Sequence, residues 1–173
     1  QSVQSIIAIS SCKGGVGKST MAAQLAAELA SRGFKVGLVD TDIYGPSIPS
    51  LFDLKNVTIT TNAKQQLTPI EKNGLKIMSF GFLIGDAPAV MRGPIVSQYI
   101  QQLLHNTAWG ELDYLFVDMP PGTGDIPVVG AQPLVQLLEE FLGPGSGMLP
   151  PAGHDFRRNV VVRQCALEQG LTV

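Results

Sequence analysis

Ser11-Cys12-Lys13-Gly14-Gly15-Val16-Gly17-Lys18-Ser19-Thr20 is the stretch whose reading decides the fold. A short apolar run leads into it: Ile6, Ile7 and Ile9 within Val3 to Ser10 predict a buried strand. A helix is predicted after it, from about Ser19 to Ser31, with Leu25, Ala26 and Leu29 at helical spacing and Gly33 closing it. A second strand is expected over Lys35 to Asp40. Strand, glycine loop, helix and strand are the opening of an α/β domain with a mostly parallel sheet flanked by helices.

The loop is built for phosphate. The P-loop pattern is G-x-x-x-x-G-K-[ST]. Gly17, Lys18 and Ser19 match it, and Cys12 stands where the first glycine is expected. Glycines let successive backbone N–H groups turn inward around a phosphate. The helix that follows adds its positive dipole end. Gly14, Gly15, Val16, Gly17, Lys18, Ser19 and Thr20 are therefore expected to bind ATP. Lys18 supplies a charge for the β- and γ-phosphates, and the Ser19 hydroxyl is offered to Mg²⁺. A glycine-rich turn with no ligand is the flat alternative; the strand before and the helix after argue against it. Cys12 reads as a small residue tolerated at a tight turn rather than as a redox or metal group.

Acidic residues at predicted strand ends continue the pattern. Asp40 and Asp42 close the second strand, and Asp118 closes the apolar run Tyr114-Leu115-Phe116-Val117-Asp118. Ligands of open α/β sheets sit outside the carboxyl ends of the strands. One of Asp40 and Asp42 can organise Mg²⁺ or its waters, and the other can position an attacking water. Asp118 has the Walker B arrangement, a buried strand delivering a carboxylate to the metal shell. Gly122, in the loop that follows, is expected to offer a backbone N–H to the γ-phosphate.

Between and beyond these motifs, strands are predicted over Val57 to Thr61 and Leu75 to Phe80, and a helix over Ile95 to Leu104. Gly45, Pro46 and Pro49 read as loop punctuation. A further helix is expected over Leu134 to Leu142. Gly143-Pro144-Gly145-Ser146-Gly147 is linker-like, and one more strand is expected from Asn159 to Arg163. Residues 1–142 are thus expected to form the ATPase domain, with 143–173 as linker and atypical tail.

The chain has 173 residues, 45% apolar and 15% charged, with a net charge of −2. That suits one folded domain and gives no general attraction to nucleic acid or anionic lipid. No apolar stretch approaches the roughly 20 residues needed to span a bilayer. Neither nucleic acid nor membrane is expected as a partner. Two cysteines, Cys12 and Cys165, make no disulfide framework, so a reducing compartment is expected: cytoplasm, or an organelle matrix or stroma.

Several motifs together resemble the Mrp/ApbC-type ATPases, which are iron–sulfur cluster carriers or scaffolds. Lys13 gives the deviant Walker A form K-G-G-x-G-K-[ST]. Asp40-Thr41-Asp42-Ile43-Tyr44-Gly45-Pro46-Ser47-Ile48-Pro49 resembles that family's switch region, where chromosome-partitioning relatives carry D-P-Q-G-N. Met91-Arg92-Gly93-Pro94, Trp109-Gly110-Glu111-Leu112-Asp113-Tyr114 and Asp118-Met119-Pro120-Pro121-Gly122-Thr123-Gly124-Asp125 are similar to it as well. The resemblance covers roughly residues 4 to 127. It implies a nucleotide-sandwich homodimer in which Lys13 reaches the partner's ATP, as an arginine finger does. It also implies Asp42 on the attacking water, Asp40 in the Mg²⁺ shell, iron–sulfur client apoproteins as partners, and a [4Fe–4S] cluster bridging two subunits through a C-x-x-C pair.

No C-x-x-C occurs in this chain, and the tail does not read as the family's. Phe156 to Arg163 has a short similarity to a stretch of MOSC domains, beside the blander account of a truncated, spliced, frame-shifted or fused product. The leading expectation is an ATP-hydrolysing iron–sulfur carrier or scaffold. The alternatives are a partitioning- or positioning-type nucleotide switch, and a fragment that binds partners without carrying a cluster. Trp109 reads as a packing anchor.

Overall fold

The computed structural model describes residues 2–11, 13–54, 57–84, 93–120 and 159–164. A six-stranded sheet forms the centre. Its strands are β1 (Ser2–Ser11), β2 (Val36–Asp40), β3 (Ile70–Lys72), β4 (Leu75–Ser79), β5 (Glu111–Asp118) and β6 (Asn159–Gln164). They lie in the order β3-β4-β2-β5-β1-β6. Every pairing is parallel except β3 with β4. The strand carried by the tail pairs with β1 in this same sheet.

Helix α1 (Lys18–Ser31) packs on one face of the sheet and α4 (Gly93–His105) on the other; α2 (Ile48–Leu51) and α3 (Phe80–Ile84) are short. Strand side chains alternate between the two faces. Leu38 and Phe116 join Ala22, Ala23 and Ala26 of α1, whereas Val39, Leu115 and Val117 join Ile100, Leu103 and Leu104 of α4. Alanines on the inner side of α1 let that helix lie close to the strands. Leu25, expected among the inward positions, is 41% exposed. The inward stripe runs instead through Ala22 and Ala26, four apart on one helical face.

Trp109 is fully buried, and its Nε1 donates to the Leu104 carbonyl at 3.2 Å. It packs with Leu112 and Leu115 around Gly37, where a Cβ would meet Leu112 Cδ1 at 2.7 Å. A side chain at that point of β2 would require the Leu112 and Leu115 side chains to shift.

Three expectations need correction. Residues 57–61 are not a strand: only Thr61 makes an isolated bridge, to Leu67. Val57 and Ile59 pack on the core without backbone pairing. Phe80, expected to end a strand, begins α3. The stretch punctuated by Gly45, Pro46 and Pro49, read as loop, contains α2, with Pro49 in its first turn, where the missing N–H costs nothing. The predicted helix over Leu134 to Leu142 and the linker lie outside the described residues.

Candidate nucleotide site

The strands end in a line. Asp40 of β2 is the register partner of Ser79 on β4 and of Asp118 on β5, and Asp118 in turn pairs with Ile9 of β1. Side chains at one register level of a parallel sheet point the same way, so Ser79, Asp40 and Asp118 form a row at its carboxyl edge. The strand ends are tied together past the ladder. Thr41 donates to the Asp118 carbonyl from its N–H at 3.0 Å and from its hydroxyl at 2.8 Å. The Met119 N–H donates to the Ile9 carbonyl at 3.0 Å.

The loop of residues 13–17 rises beside this row. Ser11 pins its start by donating from Oγ to the Lys13 carbonyl at 2.8 Å. Gly15 and Gly17 have φ of 75° and 85°, a region that L side chains avoid. Gly17 is the N-cap of α1, and no side chain caps that helix. Among the described hydrogen bonds no side chain accepts from its first N–H groups, the arrangement that favours an anion. Lys13, Gly14, Gly15, Gly17 and Thr20 are exposed, while Val16 and Ser19 are half-buried.

Lys18 behaves differently. It is only 6% exposed, and its Nζ donates to Asp118 Oδ1 at 2.5 Å and to Ser19 Oγ at 3.3 Å. Asp118 is fully buried, and its Oδ2 has no hydrogen-bond partner among the described residues. Burial pushes the Asp118 carboxyl up, and the Lys18 ammonium pulls against that shift. A buried carboxylate oxygen without a donor is costly. This one is a fitting acceptor for metal-bound water, with the Ser19 hydroxyl beside it.

Asp40, given to the metal shell by the resemblance, holds protein donors on both oxygens. Oδ1 accepts from the Asp42 N–H at 3.0 Å; Oδ2 accepts from the Ile48 N–H at 3.1 Å and from Ser79 Oγ at 3.2 Å. A carboxylate has about four acceptor directions, and three are taken. Asp42 is 9% exposed, and its Oδ1 accepts from the N–H groups of Tyr44 and Gly45 at 3.1 and 3.2 Å. That turn holds Tyr44 outward, 84% exposed. Cys12, Arg92, Gly122 and Cys165 lie outside the described residues. Among the described residues, no three His, Cys, Asp or Glu side chains gather as a metal site. No helix among them is long and apolar enough to cross a membrane.

Burial, then the charge of Asp118, raises the Asp40 carboxyl from 3.8 to about 7, against the Asp42 and Ile48 hydrogen bonds. Between those values the folded chain holds a proton that the unfolded chain has released. Stability from this group therefore falls as pH rises from about 4 to 7 and is level above. For the nucleotide-free chain we expect Asp40→Asn to gain on the wild type between pH 5 and pH 8. The expected gain is on the order of 2 kcal/mol in urea unfolding. Parallel pH profiles for the two proteins would contradict it.

The family model described as the NUBPL iron-transfer P-loop NTPase matches residues 2–140. The chain belongs to that family. The match continues to residue 140, past the expected end of the resemblance at about residue 127; 128–140 carry no phosphate- or metal-directed pattern by which a sequence reading would find it. Among curated relatives, the chain is 51% identical over 132 residues to the iron-sulfur cluster carrier protein of Aquifex aeolicus, covering 75% of this chain and 36% of the relative. It is 53% identical over 131 residues to the chloroplastic Fe-S cluster assembly factor HCF101 of Arabidopsis thaliana, covering 75% of this chain and 24% of the relative. The chain thus spans about a quarter to a third of the length of these two family members. Among solved structures, the nucleotide-binding protein from Archaeoglobus fulgidus, in complex with ADP, is similar with a TM-score of 0.63 and 42% identity. The likeness covers 76% of this chain and 50% of that one.

Proposed function

We propose that this chain binds Mg²⁺–ATP between residues 13–20 and the strand ends carrying Asp40, Asp42 and Asp118. It hydrolyses that ATP, and with cluster ligands supplied from outside these 173 residues the hydrolysis drives loading or release of an iron–sulfur cluster destined for client apoproteins. The observation that carries the reading is the buried Lys18–Asp118 pair with its unpartnered Oδ2, set beside Ser19 at an uncapped helix N-terminus. The cluster half of the reading is supported by the family and by the names its members bear.

Lys18 and Asp118 neutralise each other in the structure. A triphosphate in the loop draws the Lys18 ammonium onto its β- and γ-oxygens, and the backbone N–H groups of residues 14–20 surround it. Asp118 would then be free to hold Mg²⁺ through water, and Asp40 has one acceptor direction left for the same purpose. Mg²⁺, held by the Ser19 hydroxyl and by water on Asp118, would neutralise the charge shared by the β- and γ-phosphates. Asp42 orients the attacking water. As the water oxygen bonds to the γ-phosphorus, the bond to the ADP oxygen breaks and the proton passes toward Asp42 or the released phosphate. Gly122 would add its N–H to the γ-phosphate, and Lys13 of a second copy would meet the developing charge across a homodimer. A reducing compartment, cytoplasmic or the matrix or stroma of an organelle, fits this chemistry.

The cluster is cargo, and a [4Fe–4S] cluster takes four ligands, usually thiolates. Cys12 belongs to the phosphate loop, where a cluster would compete with ATP. We expect anaerobic reconstitution of these 173 residues with iron and sulfide to leave no persistent absorption band at about 400 nm. A stable band lost on Cys165→Ser would overturn that expectation. The dimer is tested by turnover: specific activity should rise with chain concentration, and Lys13→Ala should remove the rise.

A further inference from the structure

We infer that Ser79 is a positioning residue for the hydrolytic water, acting through Asp40 on the loop that carries Asp42. The inference rests on the hydrolytic reading above.

Ser79 belongs to none of the sequence motifs. It ends β4 as the register partner of Asp40, and it is fully buried. Its hydroxyl donates to Asp40 Oδ2 at 3.2 Å and accepts from the Gly81 N–H at 3.1 Å. That backbone donor orients the hydroxyl, so its hydrogen is directed to the carboxylate.

The Asp40 carboxylate in turn grips both ends of the loop from Thr41 to Ser47. Oδ1 takes the N–H of Asp42 at the near end, and Oδ2 takes the N–H of Ile48 at the far end. The middle of the loop hangs on Asp42 itself, through Tyr44 and Gly45. Ser79 is the side-chain donor that ties the Asp40 carboxylate itself to β4, while the Thr41 hydroxyl ties the start of the loop to β5 through the Asp118 carbonyl.

A second contact fixes the same two pieces. A Cβ at Gly81 would meet Pro46 Cγ at 3.0 Å and Pro46 Cβ at 3.1 Å, with Pro49 Cγ at 3.4 Å. The turn from β4 into α3 therefore lies flat against the loop. One contact is a hydrogen bond to the base of the loop, and the other is packing against its middle. Together they set where Asp42 stands relative to a γ-phosphate. Removing the hydroxyl leaves the phosphate loop, Lys18 and Ser19 untouched, so nucleotide affinity should survive.

The test uses the full chain with Ser79→Ala, Ser79→Thr and Gly81→Ala. For Ser79→Ala we expect kcat to fall about tenfold, with affinity for a non-hydrolysable ATP analogue within about twofold of wild type. Ser79→Thr, which keeps the hydroxyl, should recover most of the rate. Gly81→Ala, which pushes on Pro46 and spares the hydroxyl, should also lower kcat more than affinity. In the nucleotide-free chain, the Asp42 and Ile48 amides of Ser79→Ala should exchange with solvent about tenfold faster, while those of β2 and β4 hold. Unchanged kcat in Ser79→Ala would overturn the inference. So would a loss of rate matched by loss of affinity, or loosening spread over both strands. A wild-type chain that binds ATP without turnover would defeat the hydrolytic reading instead. The exchange of Asp42 and Ile48 would then decide by itself: faster exchange confined to the loop upholds the clip, and unchanged exchange refutes it.

Discussion

Lys18→Ala is expected to abolish measurable Mg²⁺–ATP binding in calorimetry, a loss of at least about a hundredfold in affinity. The ammonium is the side-chain cation buried at the base of the phosphate loop, and nothing else among the described residues there can replace it. The same substitution should disturb the empty protein. Lys18 and Asp118 have side-chain exposures of 7% and 0%. Removing one partner of such a pair leaves a buried charge alone and costs on the order of 3 kcal/mol. The chain can relieve that cost by keeping Asp118 protonated, so the variant should lose least at low pH. Lys18→Ala combined with Asp118→Asn should regain stability without regaining nucleotide. Recovery of binding in that double variant would show that the lysine only neutralises the aspartate.

Asp42→Asn is expected to keep ATP affinity within a few-fold and to lower kcat by about a hundredfold or more. The amide retains an oxygen for the Tyr44 and Gly45 N–H groups, so the turn survives while the charge proposed to orient and accept from water is lost. Asp42→Ala removes both and should also release Tyr44. Equal losses of affinity and rate in Asp42→Asn would give the residue a metal or structural role instead.

Much of this site was legible because its chemistry forces residue types onto particular places. A phosphate loop needs Gly17, Lys18 and Ser19 between a strand and a helix, and Asp118, the carboxylate proposed to face the metal, closes a buried strand. What was not legible depended on partners far away in sequence. Asp40 reads as one more strand-end acid; its capture by Ile48 and Ser79 follows only from the β2–β4 register. Ser79 ends an apolar run with no pattern around it. The pairing of Lys18 with Asp118 joins residues 100 positions apart. In the fold, β3 has three residues, too few for periodicity to show. Val57 and Ile59 alternate like a strand because one side of that segment is partly buried, yet among the described residues its pairing is limited to its end, where Thr61 bridges Leu67 and the Thr60 carbonyl accepts from the Thr68 N–H.

We propose that the Lys18–Asp118 pair opens to receive Mg²⁺–ATP and that the freed Asp118 then serves the metal. Phosphate release under saturating ATP tests it most directly, for the wild type beside Lys18→Ala and Asp118→Asn, with and without Mg²⁺. Slow release by the wild type is predicted, dependent on Mg²⁺, rising with chain concentration and absent from both variants. Release that persists without Mg²⁺, or that is equal in Asp118→Asn, would contradict it.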